Sequence, residues 1–288
     1  MFGAVLDENM TARHVCARTE EELVPMRGSK YVQSDLGDSF RQAKELLDAG
    51  TPVLFSGVPC QVDGLKHYLG RNYENLLTCD LVCHGVPSPA VFRAWLDGLE
   101  TTHGSKVTGV RFKDKSHGWS HPWLTVTFAD GQVYTEDFNR TGYGRGFGMQ
   151  LFLRPACPVC KYTSTSRPAD FTLADYWGLD PKLELPVERD KGVSMVLVNS
   201  ARGQVVYDAL SQRFGQIDRP LAEAVTGNPR LESPLKANPR RGTFFAAFTA
   251  MHFSAVEKKF LALPPLHYRV AAKVLTPGMK DKLRKILK

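Results

Sequence analysis

The sequence has no apolar run approaching the ~18 uninterrupted residues that a membrane-spanning helix needs. It opens directly on Phe2-Gly-Ala-Val-Leu6, without a basic flank and apolar signal segment. A cytoplasmic protein is the expectation. There is no internal repeat and no low-complexity block. Cysteine is sparse, with six in 288 residues, and in this context cysteines serve as ligands, redox groups or small buried side chains rather than as a disulfide framework. Only one CxxC occurs, Cys157-Pro-Val-Cys160. It is half a site, because tetrahedral zinc or an iron-sulfur cube takes four ligands.

Basic charge is missing from the body as well. The formal net charge is +7, but the segment from Lys236 to Lys288 holds twelve Lys or Arg against Glu257 and Asp281, a net of +10, which leaves residues 1–235 at −3. The tail alone could attract an anionic surface, so nucleic acid is not the expected partner of the body.

With 43% hydrophobic residues, the chain can bury a substantial core. The first thirty residues read as a hairpin, with Cys16 a buried thiol in its second strand, followed by a short helix from Thr19 to Met26. Arg27-Gly-Ser-Lys-Tyr-Val-Gln-Ser34 is a polar turn that can present backbone N–H groups, Lys30 and Tyr31 to a phosphate or a planar ring. It precedes a helix from Asp38 to Ala49. Residues 51–83 form a βαβ unit whose apolar strands, Pro52–Ser56 and Leu76–Val82, read as buried and parallel. Each runs into a cysteine-bearing loop, Gly57-Val-Pro-Cys60-Gln61 and Cys83-His84-Gly-Val-Pro87, at the strand end where open α/β sheets bind ligands. Cys60 and Cys83 can therefore face one crevice. Cys79, lower in the second strand, reads as a structural thiol. His84 reads equally as a cofactor or substrate contact and as a histidine satisfied by a backbone carbonyl.

After a helix from Ser88 to Thr101, alternating stretches at 107–113, 123–129 and 132–136 predict antiparallel strands, with Asp130-Gly131 as a hairpin turn. The loop from Lys113 to His121, with His117, is rich in groups that could meet an acidic or planar ligand. Gly142–Gly148 is expected to be a mobile loop. Ala174-Asp175-Tyr-Trp-Gly178 reads as a pocket wall. A strand at Met195–Val198, a helix from Ala201 to Phe214, an extended stretch over 219–243 and a helical stretch over 243–263 complete the body. The last twenty or so residues form at most a basic amphipathic helix. The fold class is α/β (α+β), a mixed sheet with a βαβ core and an antiparallel section, with helices on the faces.

Cys60, Cys83, Cys157 and Cys160 make a coherent thiolate set, and spacing alone leaves zinc and an iron-sulfur cluster both open. Delivery of two ligands singly from strand ends of a large α/β body favours a cluster at a functional crevice. The rival is a non-redox binding protein with a structural four-cysteine zinc site.

Taken in order, Arg27–Ser34, Gly57–Gln61, Asp80-Leu-Val-Cys-His-Gly-Val-Pro-Ser88, Cys157–Cys160, Ala169–Gly178 and Lys191-Gly-Val-Ser194 resemble the coenzyme F-420 hydrogenase/dehydrogenase beta-subunit family. The resemblance covers most of residues 1–250, read as one domain followed by a basic helical tail over 251–288. It implies an iron-sulfur flavoprotein oxidoreductase in which FAD passes electrons between a [4Fe-4S] cluster and a two-electron carrier. By position, Cys60, Cys83, Cys157 and Cys160 would hold the cluster. The flavin site would draw on Gly28, Ser29, Lys30 and Tyr31, on Gly57, Pro59 and Gln61, and on Lys191, Gly192 and Ser194, with His84 and Asp175 as neighbours. Family members of this type often carry an N-terminal ferredoxin-like segment, and this chain has none. The expected partners are thus a separate electron carrier, such as a ferredoxin or a partner subunit, and a small redox substrate or deazaflavin.

Overall fold

Two sheets divide the chain in the computed structural model, which describes residues 1–116, 118–119, 123–185 and 188–263. The strands β1 (Phe2–Leu6) and β2 (Ala12–Cys16) form the expected hairpin, and α1 (Glu20–Leu23) follows, capped by the Thr19 hydroxyl. In α2 (Ser39–Asp48) the buried Ser39, Ala43 and Leu47 recur every four residues and give one inward stripe. The βαβ unit consists of β3 (Val53–Ser56), α3 (Pro59–Leu69) and β4 (Leu76–Leu81). Helix α3 buries Pro59, Val62, Leu65 and Leu69, then ends at Gly70, whose φ of 66° supplies the left-handed cap.

Next come α4 (Pro89–His103), β5 (Val107–Asp114), β6 (Trp123–Phe128), β7 (Val133–Asp137) and α5 (Gly142–Gly148). The chain then returns to the first sheet with β8 (Phe171–Asp175) and β9 (Ser194–Val198), and closes with α6 (Ala201–Leu210), α7 (Leu221–Gly227), α8 (Arg241–Ala250) and α9 (Phe253–Val256). The first sheet runs β2-β1-β3-β4-β8-β9, parallel from β1 to β8 with an antiparallel strand at each edge. The second is the antiparallel β5-β6-β7. This is the mixed α/β class expected from the sequence.

Register fixes where chemistry can happen. Ser56 pairs with Cys79 and Leu81 with Leu173, so the carboxyl ends of β3, β4 and β8 lie side by side on one rim. A buried network locks those strands from the other end: the Asp170 carboxylate accepts from the Thr78 backbone N–H at 2.8 Å and hydroxyl at 2.7 Å, and from the Ser200 hydroxyl at 2.6 Å.

Two expectations change. Gly142–Gly148 is a buried helix rather than a mobile loop, capped by the Thr141 hydroxyl, which accepts from Gly144 N–H at 2.9 Å. Its glycines allow close packing, since a Cβ on Gly144 would lie 1.7 Å from the Phe138 carbonyl oxygen and one on Gly146 2.1 Å from the Phe152 ring. Residues 219–243 are not simply extended. They include α7 and the turn Pro229–Leu231, which bury Ala224 and Leu231 against Tyr176 and Met195. Val256, Phe260 and Leu261 enter the same core as Tyr143, Phe152 and Phe244. The amphipathic tail beyond residue 263, His117 and His121 lie outside the described residues. Among those described, no helix is long and apolar enough to cross a membrane.

Candidate functional site at the sheet rim

Three segments deliver cysteines to the rim. Cys60 sits in the first turn of α3, not in the preceding loop, because Pro59 at the first helical position starts the helix early. The Gln61 side chain accepts from the Val58 N–H at 3.0 Å and closes that turn. Cys83 lies two residues beyond β4, and Cys157 opens a single 3₁₀ turn, Cys157–Val159, that Cys160 follows. All six cysteines are free.

Arg167 fastens the CxxC segment to the sheet. Its side chain is 1% exposed and that of Asp80 0%, with Nη2 to Oδ1 at 2.9 Å. The same guanidinium donates to the carbonyls of Tyr162 at 2.7 Å and Leu81 at 2.8 Å, and to the Thr172 hydroxyl at 3.1 Å. The chain just after Cys160 is thereby tied to the ends of β4 and β8.

Cys60 and Cys83 each respond to Cys157 and Cys160. Burial pushes the Cys83 thiol up to about 12, and Cys60, Cys157 and Cys160 add to the rise. Burial also raises Cys60 although the residue as a whole is exposed, and Arg154 opposes that rise by favouring the thiolate. Gly85 separates two of these segments, since a Cβ there would lie 3.5 Å from Cys157 Cβ and 3.6 Å from its Sγ. As they stand, no three His, Cys, Asp or Glu side chains among the described residues converge on a single-ion site. The cube of a cluster sets its thiolates farther apart than one zinc ion does. Cys79 is buried within β4, where burial raises its thiol to about 12, and Cys16 is half-buried in the β2 edge strand, so neither reaches the rim.

A second group of side chains gathers beside the end of β8. The Asp175 carboxylate pairs with Lys113 Nζ through Oδ2 and accepts from Trp119 Nε1 at 3.2 Å through Oδ1. Trp119 stacks on Trp177 with ring centroids 4.4 Å apart, and Gly192 packs edge-on against Trp119, a Cβ there falling 2.8 Å from the indole. Ser194 pairs with Asp175 across β8 and β9. The Tyr31 hydroxyl reaches Lys113 and Ser29. A cleft of about 220 Å³ lined by Trp119, Tyr176, Trp177, Arg189 and Val193 opens alongside.

The structure thus brings Ser29, Tyr31, Asp175, Gly192 and Ser194 together, and a staple joins their turn to Gly57, Pro59 and Gln61. His14 is 8% exposed. Its Nε2 lies 3.0 Å from the Ser56 carbonyl, which only accepts, so Nε2 carries the proton and Nδ1 accepts from the Ser34 hydroxyl at 2.9 Å. Ser34 in turn accepts from Gln61 Nε2 at 3.0 Å. Burial holds His14 below its ordinary range, which keeps it neutral and preserves this polarity.

Two expected contacts point elsewhere. Lys30 turns into its own loop and donates to the carbonyls of Pro25 at 2.7 Å and Arg27 at 3.0 Å, clamping the turn at Gly28, whose φ is 79°. Lys191 is exposed beside Glu188 at 3.3 Å. At His84 the Phe147 carbonyl lies beside the ring, and Nε2 is buried without a partner, as is Nη1 of nearby Arg230. Lys113 opens the polar loop singled out in the sequence, whereas His14, Phe147 and Arg167 had no motif to mark them. Their partners lie far away in sequence.

The donor chemistry fits a thiolate-bound cluster, and the aromatic and polar groups around Asp175 and Tyr31 fit one wall of a planar cofactor. Comparison with curated proteins finds no match. Among solved structures, the chain is similar to one from the F420-reducing [NiFe] hydrogenase complex from Methanosarcina barkeri, with TM-score 0.50 and 16% identity, over 87% of this chain and 80% of that one. At that identity the likeness is one of fold. The family model for the C terminus of the coenzyme F420 hydrogenase/dehydrogenase beta subunit matches residues 50–218, from just before β3 to beyond α6. That span is more than half of the sequence and takes in all four rim cysteines, and the chain belongs to this family of redox-enzyme subunits.

Proposed function

We propose that the protein is a cytoplasmic iron-sulfur flavoprotein oxidoreductase, with one [4Fe-4S] cluster on Cys60, Cys83, Cys157 and Cys160 and FAD bound next to it. The observation that carries this reading is the gathering of four free thiols, from three separate segments, at the carboxyl rim of the sheet that also ends in Asp175. When bound, a flavin handles electrons in pairs and a cluster handles them singly, so the two together connect one-electron and two-electron carriers.

The chain's own groups divide the work. Arg154 favours the thiolate of Cys60. Arg167 holds the Cys157–Cys160 turn against the rim. The N–H groups around Gly28 and Ser29 present donors to an anionic or carbonyl-rich ligand. The His14–Ser34–Gln61 chain holds their turn against the Gly57–Gln61 turn, whose Gly57, Val58 and Gln61 N–H groups are satisfied within the protein. The Lys113–Asp175 pair and the stacked Trp119 and Trp177 form a rigid edge that keeps water from one side. The buried Nε2 of His84 is left to meet a bound group. The redox partner is a deazaflavin or another small two-electron carrier, with electrons exchanged through a ferredoxin or a partner subunit.

Anaerobic reconstitution followed by a visible spectrum and analysis for iron, sulfide, flavin and zinc tests the reading. A brown-yellow protein with about four iron atoms per chain and bound FAD is expected. A colourless protein with stoichiometric zinc and neither iron nor flavin sinks it in favour of a structural zinc site.

A further inference from the structure

We propose that the Cys157–Cys160 turn is the docking surface for an acidic one-electron carrier protein, seated on Val159 between Arg154 and Lys161. This rests on the cluster assignment above. Val159, between the two cysteines of the CxxC, is 78% exposed, more than any other large apolar side chain among the described residues. An apolar side chain held out to water over a redox ligand is a contact point of the kind small electron-transfer interfaces use, where burial is slight and dissociation fast.

The charge around it selects the partner. The three segments that bring the cysteines, 49–62, 81–96 and 138–169, contain no Asp or Glu, although residues 1–235 as a whole carry a net charge of −3. Cations in the third segment have different jobs. Arg145 and Arg167 are turned inward to the Leu261 carbonyl and to Asp80. Arg154 is exposed, and the Lys161 side chain is 72% exposed. Lys161 faces, at 3.5 Å, the Asp63 carboxylate, which also accepts from the Tyr162 hydroxyl at 2.5 Å. Part of the Lys161 charge is therefore offset, whereas Arg154 is in no ion pair among the described residues. The rim over the thiols is thus a cationic patch, built by three segments that carry no carboxylate of their own. It attracts an acidic protein and repels a basic one.

The same cations could instead serve only to offset the charge of a thiolate-bound cluster, and the test separates these roles. Reconstituted full-length protein is titrated with a plant-type [2Fe-2S] ferredoxin, which is acidic, and with a basic c-type cytochrome, while the cluster potential is recorded for every variant. Wild type is expected to bind the ferredoxin and not the cytochrome. Lys161→Glu and Arg154→Glu each raise the ferredoxin Kd by at least about tenfold at low ionic strength, an effect that collapses in high salt. Val159→Glu weakens binding in both conditions, and Val205→Glu, an exposed apolar position on α6, leaves it unchanged. Iron-loaded variants that bind as wild type does, or that shift the potential without changing Kd, overturn the docking surface alone. Wild type that takes up no iron overturns the cofactor reading along with it.

Discussion

The imidazole of His84 and the ring of Phe147 lie 4.6 Å apart, with the carbonyl of the same Phe147 beside the imidazole. The ring of Phe147 is also stacked on Tyr31 at 4.8 Å. One side chain of α5 therefore joins the Cys83-His84 corner to the Gly28–Tyr31 turn, the two halves of the candidate site.

Phe147→Ala should cost about 3 kcal/mol, the lower end for emptying an aromatic core site, because Phe147 is 9% exposed rather than fully enclosed. Phe147→Leu should cost less than half of that. Urea unfolding at constant m-value checks both, and a loss below about 1 kcal/mol for the alanine variant would show that the ring does not organise this corner.

Iron content should separate the six cysteines. Cys60→Ser, Cys83→Ser, Cys157→Ser and Cys160→Ser should each fall well below one cluster per chain after reconstitution, while Cys16→Ser and Cys79→Ala should keep it. Loss in Cys79→Ala with retention in Cys60→Ser would mean that the buried strand thiol is the ligand, contrary to its place inside β4.

Asp175 holds two partners at once, Lys113 and Trp119. Asp175→Asn removes the charge and should free Lys113 and loosen the stacked indoles, weakening FAD binding by about tenfold, the cost of a charged hydrogen bond. Flavin fluorescence titration reads this directly. Lys113→Met should weaken binding to a similar extent, and an unchanged affinity in both would remove this corner from the flavin site.

The legible parts of the molecule are those whose signal is local. The strands β3 and β4 show as apolar runs bounded by turns, and the rim cysteines follow because parallel strands end together. The Gly142–Gly148 segment misleads because four glycines read locally as freedom, whereas their reason is the approach of Phe138 and Phe152 from elsewhere in the chain. Pro59 is the local sign that α3 starts ahead of Cys60, a sign passed over when the cysteine is read as a loop residue. His14 gave no sign, since its partners Ser34 and Ser56 lie 20 and 42 residues away. Lys30 looked like a phosphate ligand by composition, and only the path of the turn shows its ammonium spent on Pro25 and Arg27.

Burial lowers Lys30 from 10.5 to about 8. A lysine whose folded value lies below its unfolded one withholds a proton that the unfolded chain takes up. Its contribution therefore lowers stability as pH falls from ~10.4 to about 8 and is constant below that. Lys30→Met should flatten this part of the stability profile. Amine acylation followed by mass spectrometry should show Lys30 reacting with an apparent pKa near 8, and a value near that of surface lysines would show that the two carbonyl contacts offset burial completely.

Arg167 and Asp80 form the costliest pair to break. With both side chains out of water and Asp80 Oδ2 lacking a partner, Arg167→Met strands a buried carboxylate that burial already pushes toward its neutral form. A loss of about 3–5 kcal/mol is expected. Asp80→Asn in the Arg167→Met background should restore part of it, because a neutral amide is cheaper to bury than a lone carboxylate. The restored stability should not restore iron. Arg167 also holds the Tyr162 and Leu81 carbonyls, and without it the chain after Cys160 is untied from the ends of β4 and β8, although Leu153 and Arg154 still pair with Val86 and Pro87 and Tyr162 still reaches Asp63. A double variant that regains both stability and full iron content would show that the turn is placed by other contacts, and that Arg167 does no more than neutralise Asp80.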